Sequence, residues 1–160
     1  MPSAFRDDRL SMMLRAISIA DDGPVPYDIV VLTHDERHLR RRVLTTVHDE
    51  AVLVDLPQPV RLIARQRLVL EDGRQIEVLD AEETVYEITA PDAATLARIA
   101  WHIGNRHARV EIGTGSILIA RDHVLKDMLL GLGATVGEVH RPFSPEPPRL
   151  HGVPHHHAHD

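Results

Sequence analysis

Up to about residue 80 the apolar positions come in short runs, too brief for helices and often alternating with polar residues. Met12 to Ala20, Tyr27 to Leu32, Arg42 to Val47, Ala51 to Leu56, Val60 to Leu70 and Gln75 to Leu79 each read as a strand. Turn signals separate them: Asp21-Asp22-Gly23-Pro24, His48-Asp49-Glu50, Pro57-Gln58-Pro59 and Glu71-Asp72-Gly73-Arg74. Asp72-Gly73 between two apolar runs is a hairpin signal. Strands at this spacing predict a small sandwich or open barrel, an N-terminal all-β domain over residues 1–80.

From residue 81 the period changes. Glu83 to Ile88 reads as a strand, and Pro91-Asp92 then opens a helix, where Asp can accept from the first free amides. Leu96, Ile99, Ala100 and Ile103 form one apolar stripe at i, i+3, i+4 and i+7, and Gly104 is placed to end the helix. Val110 and Ile112 alternate with Arg109 and Glu111, Gly113-Thr114-Gly115 turns the chain, and Ile117 to Ala120 pairs back. Asp122 caps a second helix with Val124, Leu125, Met128, Leu129 and Leu132 on its buried side; Gly131 and Gly133 stop it, and Ala134 to Val139 is a last strand. The order β-α-β-β-α-β is the split-βαβ, ferredoxin-like unit, over residues 81–143. Residues 144–160 carry no apolar period, and Pro145, Pro147, Pro148 and Pro154 oppose regular structure, so a disordered His-rich tail is expected. The fold class is α+β.

Composition narrows the chemistry. The net charge of -6 opposes a nucleic-acid surface. The absence of Cys excludes disulfides, thiolate zinc sites, iron–sulfur clusters and Cys nucleophiles. No apolar run approaches the ~20 residues of a membrane span. The N-terminus carries Asp7 and Asp8 and lacks a signal-peptide core, so a cytoplasmic location is expected. Twelve His stand against 2 Tyr, 2 Phe and 1 Trp, which turns the question to metal.

His151, His155, His156, His157 and His159 lie in the last ten residues. Clustered neutral imidazoles bind late divalent metals, with affinity rising toward Ni²⁺ and Cu²⁺. A tag remnant or an inert tail is the bland alternative, but the run is interrupted and lacks six His in a row. His102 falls in the last turn of the first helix, where the helix dipole favours an imidazolium; that suffices to explain it without metal. His107 lies beyond Gly104 in the loop to the next strand, and a two-fold axis can pair it with its own copy. His123 follows the cap Asp122 and is either an exposed first-turn His or an auxiliary ligand; His140, at the root of the tail, is equally open. His34-Asp35-Glu36-Arg37-His38 places two His at i, i+4, but a zinc protease motif needs Glu directly after the first His. With Arg37, Arg40, Arg41 and Arg42 around it, this segment suits a solvated loop and strand edge. No phosphate loop, nucleophile elbow or paired-carboxylate pattern supports an enzyme.

Trp101-His102-Ile103-Gly104-Asn105-Arg106-His107, Asp122-His123-Val124-Leu125, Met128-Leu129, Leu132-Gly133 and Pro142-Phe143-Ser144-Pro145-Glu146, in this spacing, resemble the urease accessory protein UreE family. The resemblance covers residues 81–146 strongly and the N-terminal part weakly. Many members continue Gly-Ala-Tyr where this chain has Pro147-Pro148-Arg149. The resemblance implies a nickel metallochaperone for urease maturation, with an N-terminal β domain of partner- or peptide-binding type. It implies a homodimer formed through the ferredoxin-like domain, with His107 and its symmetry mate around one metal ion. Tail His residues would feed or complete the site, and His102, His123 and His140 are possible auxiliaries. The implied partners are the urease accessory GTPase and apo-urease; neither nucleic acid nor membrane is among them. Zn²⁺ or Cu²⁺ can substitute in vitro, and since imidazole ligands must be neutral, binding is expected to weaken as pH falls through about 6.5. The rivals are a nickel or zinc storage protein acting through the tail, and a peptide-binding module with an incidental tail.

Overall fold

The computed structural model describes residues 13–147. The N-terminal extension from Met1 and the His-rich tail, with His151, His155, His156, His157 and His159, lie outside the described residues. The strands are β1 (Leu14–Ala20), β2 (Asp28–Leu32), β3 (His38–Thr45), β4 (Ala51–Arg61), β5 (Arg67–Leu70), β6 (Gln75–Asp80) and β7 (Glu82–Thr89). Helix α1 (Ala93–Asn105), strands β8 (Val110–Ile112) and β9 (Ile117–Ala120), helix α2 (His123–Gly131) and strand β10 (Thr135–Pro142) follow. No helix among the described residues is long and apolar enough to cross a membrane. The chain falls into two compact units, one running to Val85 with Glu138–Phe143 added, the other Tyr86–Gly137 with the residues from Ser144.

The first unit is built on one six-stranded sheet, β2-β6-β5-β1-β4-β3, rather than the two sheets of a sandwich. β1 runs parallel to β4 and β2 parallel to β6, while β5–β6 and β3–β4 are antiparallel hairpins. Past β3, the Val47 amide donates to the Ile29 carbonyl of β2 at 2.9 Å, so the two outer strands of the sheet approach each other and it curls toward a barrel. Ala16, Val30, Val52, Val54, Leu68, Ile76 and Val78 are fully buried inside it. The β5–β6 turn is made as expected at Asp72-Gly73, with Gly73 at φ 87, a conformation Gly adopts without a Cβ penalty.

Three expectations fail here. Pro57-Gln58-Pro59 does not end a strand: β4 continues through it to Arg61. The pairing jumps from Leu39↔Val60 to Arg41↔Asp55, so both prolines fall in a bulge where no ladder donor is required. Val60 to Leu70 is therefore not one strand; its first residues close β4 and its last form β5. The segment His34 to His38 is a turn leading into β3 with Asp35, Glu36 and His38 exposed, but it is not solvated throughout. His34 is 8% exposed and Arg37 only 3%. Arg37 pairs with Asp80 and donates to the Phe143 carbonyl at 2.7 Å, and His34 meets the Phe143 ring edge-on at 5.8 Å and Arg61 at 3.1 Å. Arg40, Arg41 and Arg42 are exposed, as expected.

In the second unit the order strand, helix, two strands, helix, strand is that read from the apolar period. The four-stranded sheet is β10-β7-β9-β8, with β8 and β9 antiparallel. Asp92 and Asp122 both act as N-caps, accepting from Thr95 N at 2.8 Å and Leu125 N at 3.0 Å. Ile99 and Ile103 of α1 and Leu125 and Leu129 of α2 are buried against Tyr86, Ile88, Ile117 and Ile119 of the sheet. Val124, expected on the buried side of α2, is 63% exposed; it stands in the first turn, one residue before the inward Leu125. Gly133, at φ 86, makes the reversal after α2.

Candidate functional site

The end of α1 differs from expectation in a way that bears on function. Gly104 does not terminate the helix: α1 runs through Asn105, and Arg106 is its cap. The last turn tightens, with Arg106 N–H donating to the Ile103 carbonyl at 3.0 Å and His107 N–H to the Gly104 carbonyl at 3.1 Å. The left-handed residue that reverses the chain is His107 itself, at φ 54. Gly is the usual occupant of this position, and a residue with a Cβ is strained there. His is among the few types enriched in this region, and backbone strain of this kind clusters where a side chain must be held for a task.

His107 is exposed. It stands at the carbonyl end of α1, where the helix dipole concentrates partial negative charge and favours a cation. Its neighbours Arg106 and Ala108 line an open concavity of about 320 Å³ with Asp122, Val124, Leu125 and Met128. His123 is flanked by Asp122 and Val124 of the same lining and is exposed. Neither His107 nor His123 is among the residues that line it; each is a chain neighbour of residues that do. His102 is half-buried, its ring edge-on to Trp101 with centroids 5.0 Å apart. His140 lies in the first unit, with Nδ1 3.2 Å from Thr84 Oγ1 and Nε2 3.5 Å from Glu82 Oε2. Among the described residues, no three His, Asp or Glu side chains of one chain converge as a metal cluster would require.

Sequence reasoning missed the second face of α1. Ala94, Ala97, Trp101 and Gly104 are all exposed and recur at three- and four-residue spacing. Trp101 is 64% exposed, so α1 presents a large apolar side chain on the side facing away from its own core, with exposed Arg98 and Asn105 beside it. The signal was present in the spacing, but the inner stripe of Leu96, Ile99, Ala100 and Ile103 accounts for the helix without it.

A linked pair of titrating groups lies in the first unit. His48 Nδ1 is 2.9 Å from Asp28 Oδ1, and this hydrogen bond with the carboxylate charge raises the His48 pKa. Burial pushes the Asp28 carboxyl up, but hydrogen bonds from Thr46, His48 and the Ile29 amide outweigh it and hold it below the usual range. This pair fastens the β3–β4 turn to β2.

Two family models cover most of the chain. That described as UreE urease accessory protein, N-terminal domain, matches residues 13–81, and that for the C-terminal domain matches residues 83–160. The chain is 53% identical to the urease accessory protein UreE of Mesorhizobium japonicum over 135 residues, which is 82% of this chain and 69% of that protein. It is 46% identical to that of Rhizobium meliloti over 151 residues (92% and 96%), and 50% identical to that of Ruegeria pomeroyi over 133 residues (82% and 87%). With both halves matched by the family's models and relatives at 46% to 53% identity over most of the chain, the chain belongs to the UreE family of urease accessory proteins.

Proposed function

We propose that this chain is a cytoplasmic nickel carrier for urease maturation rather than an enzyme. Ni²⁺ is its cargo, held between His107 of two copies of the chain and passed to apo-urease with the accessory GTPase. The observation that carries this reading is His107: an exposed imidazole, in a left-handed position that Gly would fill with less strain, at the cation-favouring end of α1. One imidazole makes a weak site, and two related by a two-fold axis make a stronger one. The exposed face of Ala94, Ala97, Trp101 and Gly104 on the same helix supplies an apolar surface for that second copy.

In this reading residues 81–143 form a ferredoxin-like metal-binding and dimerisation domain, supported by the strand order β10-β7-β9-β8. Residues 1–80 form the partner-binding domain, and the His-rich residues 144–160 gather metal through His151, His155, His156, His157 and His159. His102, His123 and His140 are the candidate auxiliary ligands, and of these His123 is exposed in the same unit as His107. Few imidazole ligands without thiolate leave the ion exchangeable, which a carrier needs, and they disfavour Mg²⁺. Zn²⁺ and Cu²⁺ share the preference for imidazole and would substitute in vitro. The test is activation of apo-urease by the nickel-loaded protein with its accessory partners. The wild-type chain should support activation at limiting nickel and His107→Ala should not; equal activation by both would refute the carrier site.

A further inference from the structure

The six-stranded sheet of the first unit curls toward a barrel but leaves a seam. β2 and β3 stand at the two ends of the strand order, and no ladder joins them. Among the described residues one backbone hydrogen bond spans the two sides, from the Val47 amide just past β3 to the Ile29 carbonyl at 2.9 Å. The β3–β4 turn fixes which way each amide of β3 points. Thr46 N–H donates to the Glu50 carbonyl at 2.9 Å, so Thr46 faces β4. By the alternation of an antiparallel pair, so do Leu44 opposite Val52 and Arg42 opposite Val54. The amides of Arg41, Val43 and Thr45 therefore face the seam, in step with that of Val47. A ladder continued from Val47 and Ile29 would next join Thr45 to Val31. No such rung forms, and Val31 and Val43 beside it are exposed.

This open edge carries three consecutive arginines. Arg40, Arg41 and Arg42 are exposed, and among the described residues none is held in an ion pair. Arg40 Nε donates to the Leu56 carbonyl at 3.4 Å and Arg42 Nη1 to the Glu36 carbonyl at 3.5 Å, both long. Asp55, the carboxylate opposite Arg41, is taken by Arg15 at 2.7 Å. The row is thus positive within a chain of net charge -6. Arg41, with Asp55, lies on the outer face. Arg42 lies opposite Val54, a fully buried core residue, yet it is exposed, so the inner face is open to solvent at the seam.

We propose that the free edge of β3 binds an extended, acidic segment of a partner protein as an added strand. This rests on the reading of residues 1–80 as the partner-binding domain and does not depend on His107. The main-chain groups of Arg41, Val43 and Thr45 supply the ladder, which any sequence can use, and the side chains select. A segment lying beside them places one residue opposite Arg41 on the outer face, one opposite Arg42 on the inner face and one opposite Val43. Its recognition sequence is therefore two adjacent acidic residues next to an apolar one. A guanidinium meets a carboxylate through two parallel bonds, and opposite charges across neighbouring strands stabilise their pairing. The occupant is protein rather than nucleic acid because the row is one strand wide. Exposed Asp35 and Glu36 also stand at its start, where they repel a run of phosphates.

The experiment measures binding of a synthetic peptide of repeated Val-Asp-Glu to the full chain. Beside it stand the same peptide with Lys for each acidic residue and a single-stranded RNA of mixed sequence. The acidic peptide should bind, and more weakly at about 1 M salt than at about 0.1 M, where screening is less. The Lys peptide and the RNA should not bind. Hydrogen exchange read residue by residue should show the Val43 and Thr45 amides fast in the free chain and slowed by the peptide, with the Leu44 amide slow in both. The double variant Arg41→Glu with Arg42→Glu should weaken the peptide about tenfold or more. Val43→Pro, which removes a donor facing the seam and none facing β4, should also weaken it with every arginine in place. A slow Leu44 amide in each variant reports that the sheet is intact. No binding of the acidic peptide would overturn the proposal and leave the arginines as a guard against edge pairing. Preference for the RNA, or peptide binding that leaves Val43 and Thr45 fast in exchange, would overturn it as well. Loss of the peptide in the double variant with apo-urease activation at the wild-type level would instead overturn the partner-binding reading of residues 1–80 and leave the edge as a binding strand.

Discussion

Replacing His107 by Gly separates the strain of this position from its chemistry. At φ 54 a residue with a Cβ carries roughly 1–2 kcal/mol that Gly does not. Gly in turn has more freedom to lose on folding, which costs about 0.5–1 kcal/mol. The difference leaves His107→Gly more stable than wild type by about 0.5 kcal/mol, a rise in Tm of about 1–2 °C for a chain of this size. His107→Ala keeps the backbone strain and removes the ring, so it should fall below His107→Gly by about 1 kcal/mol. The assay is urea and thermal unfolding of metal-free protein at one fixed chain concentration, since association of two copies would add to apparent stability. It is paired with nickel titration of each variant. Both variants should lose the tight ion, and His107→Gly should do so without loss of stability. If His107→Gly were less stable than wild type by 1 kcal/mol or more, the imidazole would be a structural element and the strain argument would fail. If either variant kept the tight ion, His107 would not be its ligand.

Trp101→Asp places a charge on the exposed face of α1; the mass in solution should drop from dimer to monomer and the tight ion should be lost with the second His107, whereas a retained dimer would move the interface elsewhere. Arg37→Leu takes the guanidinium from Asp80 and from the Phe143 carbonyl, in a site where the two side chains of the pair are 4% and 15% exposed, so chemical denaturation should show a loss of about 3 kcal/mol, partly recovered by adding Asp80→Leu; a loss under 1 kcal/mol would contradict the buried pair. His48→Ala removes a contribution that is present below pH 6.5 and lost as pH rises through the raised His48 pKa; at the acid end the Asp28 contribution is lost as pH falls from 3.8 through its lowered pKa. The gap in Tm between wild type and His48→Ala should therefore be widest near pH 5 and narrow by pH 9, and a gap that widened toward pH 9 would contradict the sign.

What could be read from the sequence was local. Asp92 and Asp122 declared their helices because a cap acts three residues away, and Ile99, Ile103, Leu125 and Leu129 sit inward because their spacing follows the helical period. Asp72-Gly73 made its hairpin for the same reason. The failures were non-local or turned on a competing rule. Arg37 finds its partners 43 and 106 residues away, so nothing near it announced burial. Pro57 and Pro59 looked like a stop, and only the register with β3 reveals the bulge that accommodates them. Gly104 looked like the cap because Gly so often is one, and the αL position went to His107 instead. For the candidate site, the sequence identified His107 but not its left-handed backbone, which Asp49 and Arg65 share elsewhere in the chain, nor the outward exposure of Trp101.

The claim on which the carrier function depends is that the tight ion sits at His107 between two copies and not in the tail. The most direct measurement is a calorimetric nickel titration of a chain ending at Leu150, with its mass in solution determined on the same sample. One tight ion per dimer, abolished by His107→Gly, is the expected result. A dimer that binds no tight ion once residues 151–160 are gone would contradict it and make the His-rich tail the binding element, as in a storage protein.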